Sequence, residues 1–186
     1  KFWRPQPQIP VDPNLAISPG QARRDYDMLI QAANGLPLQL HIQASSQWYI
    51  RYKTQVGDLP YNVSFGSYLP FTRLRDLYAR ANFVVVALTP GAHHSAGSVT
   101  IKEAMAMGKA VIVASPGGAE DYIDHGETGI ILPAGNGLAL RDAIRDLLAD
   151  PAATRRMGER ARQVVETKLS YDRKIRRMAA EADDAC

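Results

Sequence analysis

Six consecutive apolar residues, Phe83-Val84-Val85-Val86-Ala87-Leu88, constrain this chain more than any other feature. The run is too short for a buried helix and shows no alternation. A strand with one wet face alternates, whereas a run like this needs cover on both faces, as in the centre of a parallel sheet. A second such run, Ala110-Val111-Ile112-Val113-Ala114, follows 22 positions later. Ser98 to Met107 lies between them at helical spacing. Gly108 stops that helix, and Lys109 can meet its last carbonyls. Strand, helix, strand is the unit of a parallel sheet.

The rest of the chain repeats the unit. Leu15 to Ser18 reads as a strand, Pro19 to Ala22 as a turn, and Arg23 to Asn34 as a helix stopped by Gly35. Leu38 to Ala44 and Tyr61 to Phe65 read as strands, and Thr72 to Ala81 as a helix with Leu74, Leu77 and Tyr78 at core spacing. Ser45 to Pro60 is open between loop and short helix. Ser115 to Gly118 turns into a short helix through Ile123, and Gly129 to Pro133 is a sixth strand. Leu138 to Ala149 is helical, Asp150-Pro151 breaks it, and residues 152–180 are mostly helical. The expected fold is α/β: a Rossmann-like, doubly wound parallel sheet of about six strands with helices on both faces. Ligands of such sheets bind beyond the carboxyl ends of the strands, where strand order reverses. The loops at 19–25, 44–48, 65–71, 89–100 and 115–120 are therefore the places to look.

Composition agrees with one ordinary domain. The chain has 186 residues, of which 46% are hydrophobic and 22% charged, which excludes an intrinsically disordered segment. The single cysteine, Cys186, allows no internal disulfide and fits a reducing compartment. No apolar run approaches the roughly 20 residues of a membrane span. Lys1 to Pro5 has no signal-peptide character, and the missing initiator Met suggests a piece of something longer. Residues 1–13, rich in proline, read as a linker or lead-in. The net charge of +3 is uneven: Pro151 to Arg177 holds nine Lys or Arg against three Asp or Glu. That stretch reads as a solvated helix face or as a surface for anionic headgroups. Aromatic residues are not interleaved with it, so nucleic acid is not an expected partner.

The strongest chemical signal runs from Gly97 to Ile112. A glycine-bearing loop passes from a buried strand into a helix start, where free amides and the dipole suit an anion such as phosphate. Glu103 follows within two turns. Its carboxylate could take two hydrogen bonds from vicinal hydroxyls, or simply complement the dipole; the residues alone leave both open. Other motifs are lacking. There is no G-x-S-x-G elbow and no phosphate-binding G-x-x-x-x-G-K-[ST] loop, and Gly135-Asn136-Gly137 is followed by Leu140, an incomplete dinucleotide fingerprint. His93-His94 has no further ligand at metal spacing, so no metal is expected.

The segment Glu103-Ala104-Met105-Ala106-Met107-Gly108-Lys109-Ala110-Val111-Ile112 resembles the E-x7-E-A-M-A-x-G-x-P-V-I hallmark of the retaining, family 4 (group 1) glycosyltransferases of GT-B fold. Their C-terminal domain is the part matched, over nearly the whole chain. Arg24 to Ala32 looks like its first helix, and Leu74 to Ala81 like its L-x-x-L-Y-x-x-A helix. Gly117-Gly118-Ala119-Glu120 with Gly126 to Gly129 looks like its G-G-x-x-E…G-x-T-G stretch, and Met157 to Arg162 like a terminal helix.

The resemblance implies one half of a GT-B fold that binds a nucleotide-sugar as substrate. Glu103 would hold the ribose hydroxyls. Gly97, Ser98, Val99 and Thr100 would face the diphosphate and sugar, with Arg24, or its neighbour Arg23, on phosphate. Gly20, His94 and Gly117 complete the expected donor-binding set. Position 95, where the family has its first glutamate on the donor sugar, is Ser95 here, so Arg24, Glu103 and Ser95 are the catalytic candidates. The implied function is transfer of a sugar from a UDP- or GDP-sugar with retention, without a tightly bound cofactor or required metal. The implied partner is an N-terminal acceptor-binding domain of the same parent chain. Residues 1–13 would lead in from that domain, 14–169 form the donor-binding domain, and 170–186 a helical extension. The isolated domain would be inactive, and its setting cytoplasmic, with peripheral contact at the inner membrane face. Ser95 motivates a competing reading, a non-catalytic nucleotide-sugar-binding or protein-interaction module of the same fold.

Overall fold

A computed structural model describes residues 2–44 and 58–168. Most of the stretch left open above, and the expected extension past Lys168, lie outside these residues. The chain runs β1 (Leu15–Pro19), α1 (Tyr26–Ala33), β2 (Gln39–Gln43), β3 (Val63–Phe65), α2 (Phe71–Arg80), β4 (Phe83–Ala87), α3 (Ser98–Ala106), β5 (Ala110–Ser115), β6 (Ile130–Pro133), α4 (Gly137–Ala149) and α5 (Pro151–Thr167). The six strands form one sheet in the order β3-β2-β1-β4-β5-β6, and every pairing is parallel. The doubly wound Rossmann-like expectation is met.

The uninterrupted apolar runs sit where their composition demands. β4 lies between β1 and β5, and every residue of these three strands is buried. The polar exceptions are Ser18 and Ser115, whose hydroxyls donate to the Val85 and Gly117 carbonyls, each at 2.7 Å, so neither is orphaned by its burial. Alternate residues of the strands feed two cores. One joins Phe83, Val85 and Ile112 to Leu29 and Ile30 of α1 and Leu140, Ile144 and Leu147 of α4. The other joins Val84, Val86 and Val111 to Tyr78 of α2, Ile101 and Met105 of α3, and Ala161 of α5. Each fully buried aliphatic side chain contributes about 1.5–3 kcal/mol.

Two local expectations are corrected. The first helix begins at Tyr26, not Arg23. Asp25 is its cap, with Oδ1 accepting from the Met28 amide at 3.0 Å. The residues before it are drawn onto the end of β4: the Asp25 amide donates to Ala87 and the Thr89 amide to Arg23. Between Ser115 and Ile123 no helix forms. Gly117 and Gly118 take positive φ, and Ala119 to Ile123 closes a single turn. Elsewhere the punctuation works as read. Asp150 ends α4 and caps α5, its carboxylate accepting from the Ala153 amide at 2.8 Å, with Pro151 in the first turn.

The proline-rich lead-in lies against the second core. Trp3 and Ile9 pack on it, and the Asp12 amide donates to the Arg80 carbonyl at 2.8 Å.

Candidate functional site

Chain direction across the sheet reverses beside β1, which has β2 on one side and β4 on the other. A cavity of about 590 Å³ opens there, at the carboxyl ends of the strands. Three segments build it. The loop after β1 gives Gly20, Gln21, Ala22 and Arg24. The loop into α3 and that helix give Ser95 to Thr100 and Glu103. The segment after β3 and the start of α2 give Tyr68, Leu69, Phe71 and Leu74.

Arg24 is the cation of this cavity, and it is 6% exposed. Its Nη2 donates to Thr100 Oγ1 at 2.9 Å and to the Pro19 carbonyl at 3.2 Å, and its Nη1 donates to the Ala22 carbonyl at 3.1 Å. Nε is buried with no partner among the described residues. No carboxylate pairs with the guanidinium among the described residues. Burial lowers its pKa, and an arginine stays charged regardless. A buried charge without a counter-ion is expensive, and a bound anion would relieve that.

Two glycines shape the anion-facing backbone. Gly20 has φ +105°, and a Cβ there would stand 2.5 Å from Arg24 Nη2. The turn can lie on the guanidinium only because that atom is missing. Gly97, before α3, has φ +78°, and its Cβ would stand 2.8 Å from Val86 Cγ1. No side chain among the described residues caps α3. The amides of Val99 and Thr100 have no partner among the described residues, so the helix start is open toward the cavity.

Glu103 is half-buried on α3. Its Oε2 accepts from the Tyr78 hydroxyl at 2.9 Å. Burial pushes its pKa up, and the Tyr78 hydrogen bond pulls partly back. Tyr78 is raised well above its ordinary value, by burial first and by the Glu103 carboxylate second, so it remains a donor.

The structure thus brings Gly20, Arg24, Ser95, Gly97, Ser98, Val99, Thr100 and Glu103 to one cavity. Three other candidates lie outside its lining. Arg23 is exposed with φ 58°, because its carbonyl is held by the Thr89 amide. The His94 ring turns away to Asp121, Nε2 to Oδ2 at 3.0 Å, and both side chains are largely exposed. The Gly117 amide is occupied by Ser115 Oγ at 3.1 Å. Nearby, Glu120 is held below the usual carboxylate range by backbone amides of Glu120 and Gly118. Sequence reasoning missed Gln43, the aromatic wall of Tyr68 and Phe71, and the role of Tyr78. Tyr78 had a signal: a buried tyrosine needs a partner for its hydroxyl. Among the described residues no three His, Cys, Asp or Glu come together as a metal cluster, and no helix is long and apolar enough to cross a membrane.

This architecture has known relatives. The protein is similar to sucrose-phosphate synthase from Thermosynechococcus elongatus, with 24% identity and a TM-score of 0.74, over 100% of this chain and 51% of that one. It is similar to HepE of Anabaena, solved with UDP and glucose, with 18% identity and a TM-score of 0.72, over 100% of this chain and 54% of that one. Over 67 residues it is 39% identical to N-acetyl-alpha-D-glucosaminyl L-malate synthase of Bacillus anthracis, a match that takes in 36% of this chain and 18% of the relative. The chain therefore spans about half the length of these solved structures and less of the curated relative. The family described as glycosyl transferases group 1 matches residues 1–164. With its six-stranded parallel sheet and a cavity at the switch point, this chain belongs to the group 1 glycosyltransferases.

Proposed function

We propose that this chain is the donor-binding half of a retaining, family 4 glycosyltransferase and holds a nucleoside-diphosphate sugar. The observation that carries the reading is Arg24: a buried guanidinium without a carboxylate, lining a cavity beside the open start of α3. The diphosphate would sit between the two. Breaking the sugar–phosphate bond builds negative charge on the leaving phosphate, which fixed donors stabilise more in the transition state than before it. Glu103 would take the ribose hydroxyls on Oε1 while Tyr78 occupies Oε2. Arg24 and the α3 amides supply the positive charge, so binding should be the same in EDTA as in magnesium. HepE, solved with UDP and glucose, makes UDP the first probe.

Ser95 supports a second reading, a non-catalytic sugar-nucleotide-binding module. It stands neutral and exposed at the rim, where the family resemblance expects a carboxylate. A Ser95→Glu exchange in a longer parent chain separates the two: increased transfer favours the enzyme, and no change favours the module. The acceptor would come from a separate domain, and the chain alone would transfer little sugar. A cytoplasmic setting at the inner membrane face is proposed from the basic stretch after Pro151.

Calorimetry with UDP and GDP tests the binding claim. Glu103→Ala should weaken the nucleotide by about tenfold or more, since one charge-assisted hydrogen bond is worth at least about that much. Equal affinity in the parent and the variant would remove the ribose anchor.

A further inference from the structure

The carboxylate of Glu103 does not stand alone. Its partner Tyr78 is fully buried on α2, and the Tyr78 ring meets Trp3 of the lead-in edge-to-face, with centroids 5.5 Å apart and planes at 72°. Trp3 also stands edge-on to Phe71, 6.4 Å away, and Phe71 lines the cavity. One lining residue, Phe71, and the hydrogen-bond partner of another, Glu103, therefore meet on one indole. The indole is itself held in place. The ring of Phe2 meets it at 5.0 Å, and the Arg75 guanidinium lies 5.0 Å over Phe2. From α5, Arg162 donates to the carbonyls of Trp3 and Ala106, which fixes the lead-in backbone against α3.

A tyrosine hydroxyl on a rigid ring aims its proton only as well as the ring is seated. α2 fixes one edge of Tyr78, and Trp3 fixes another. A carboxylate with two free oxygens can rotate about its last bond, whereas one oxygen fixed by a hydroxyl presents the other in a single orientation.

We propose that Trp3 and Tyr78 are positioning residues for Glu103, forming an aromatic strut between the lead-in segment and the donor cavity. This rests on the reading of Glu103 as a ligand-facing group. Displacement of the lead-in would then loosen the nucleoside anchor without touching the ligand.

The test uses the 186-residue chain, with two readouts in each variant: the titration of the Glu103 side-chain carboxyl followed by carbon NMR, and UDP affinity by calorimetry. Tyr78→Phe keeps the ring and should fold. It should raise the Glu103 pKa and weaken UDP about fivefold, less than the full worth of a hydrogen bond to a charge because the lost bond orients the anchor and does not touch the ligand. Trp3→Ala should move the Glu103 titration and weaken UDP about two- to threefold in the Tyr78 background, and do neither in the Tyr78→Phe background. Trp3→Phe, which restores an aromatic edge and guards against a folding defect, should return both readouts toward the parent. An unmoved titration in Tyr78→Phe, or a Trp3 effect of equal size in both backgrounds, would overturn the strut. If UDP fails to bind the parent chain, the function proposed above falls, and the titration still decides this inference.

Discussion

The two faces of the sheet are covered by different materials. On the α1 and α4 face the core is mostly hydrocarbon, with Leu29, Ile30, Leu140, Ile144 and Leu147 against the strands, and its buried Tyr26 hydroxyl and Asn62 amide donate to backbone carbonyls. On the α2, α3 and α5 face, apolar residues share space with buried polar groups: the Tyr78 hydroxyl, Lys109 and the half-buried Glu103. The first face mainly stabilises, and it reaches the cavity through the Tyr26 hydroxyl of α1, which donates to the Gly20 carbonyl. The second gives up some stability to hold charged and polar groups, with Glu103 among them at the cavity. Stability and binding should therefore separate by face.

The largest expected effect strikes the hydrocarbon face. Leu29→Ala should destabilise the chain by about 2–5 kcal/mol, with UDP affinity of the folded fraction unchanged. A denaturant melt and calorimetry read the two quantities, and a loss of affinity equal to that of a site variant would blur the distinction. Next comes Arg24→Met. UDP affinity should fall by about 100-fold, while stability holds or rises, because an unpaired buried charge is removed. Arg24→Lys should not rescue it, since an ammonium lacks the guanidinium fork.

Glu103→Gln follows. The folded-state pKa of Glu103 lies above its unfolded value, so ionisation opposes folding once the pH exceeds the unfolded carboxyl pKa. The glutamine variant should therefore melt slightly higher at pH 7 yet bind UDP about tenfold more weakly. In the parent chain, affinity should fall on acidification at a pH above the ordinary carboxyl range, which an affinity–pH curve checks.

Lys109 gives the smallest effect under ordinary conditions. Burial lowers its pKa to about 8, and its Nζ donates to the Ala79 carbonyl at 2.8 Å. A lysine depressed in the folded state opposes folding while charged. Stability should thus rise as pH climbs from about 8 toward the unfolded value near 10.5, by up to ~3 kcal/mol. Lys109→Met should flatten that rise in melts taken across the range.

Legibility in the sequence followed the same division. The strands β4 and β5 were readable because continuous apolar runs admit few other uses, and α4 and α5 because Asp150-Pro151 is strong punctuation. The start of α1 was not, since Arg23 and Arg24 continue its pattern. Only the neighbouring end of β4 claims their backbone, and no periodicity shows that. The Gly97 loop was legible from its place between a buried strand and a helix start, and Glu103 only through the family resemblance, since its position alone left two roles open. The burial of Arg24 was not, because it depends on Gly20 folding back over it. Trp3 sat among prolines and read as linker, although two adjacent aromatics, Phe2 and Trp3, hinted at a docked segment.

Strand order also sets a timetable. β1 bonds to β4 through Ser18 and Val85, 67 positions apart, and Arg24 reaches Thr100 across 76. Contacts of such separation form late and slowly. A chain leaving the ribosome has made β1, β2 and β3 before any wall of the cavity on the α3 side exists. No growing fragment short of Thr100 has both sides of the cavity, so a ligand of that cavity could stabilise the finished domain but could not template its assembly.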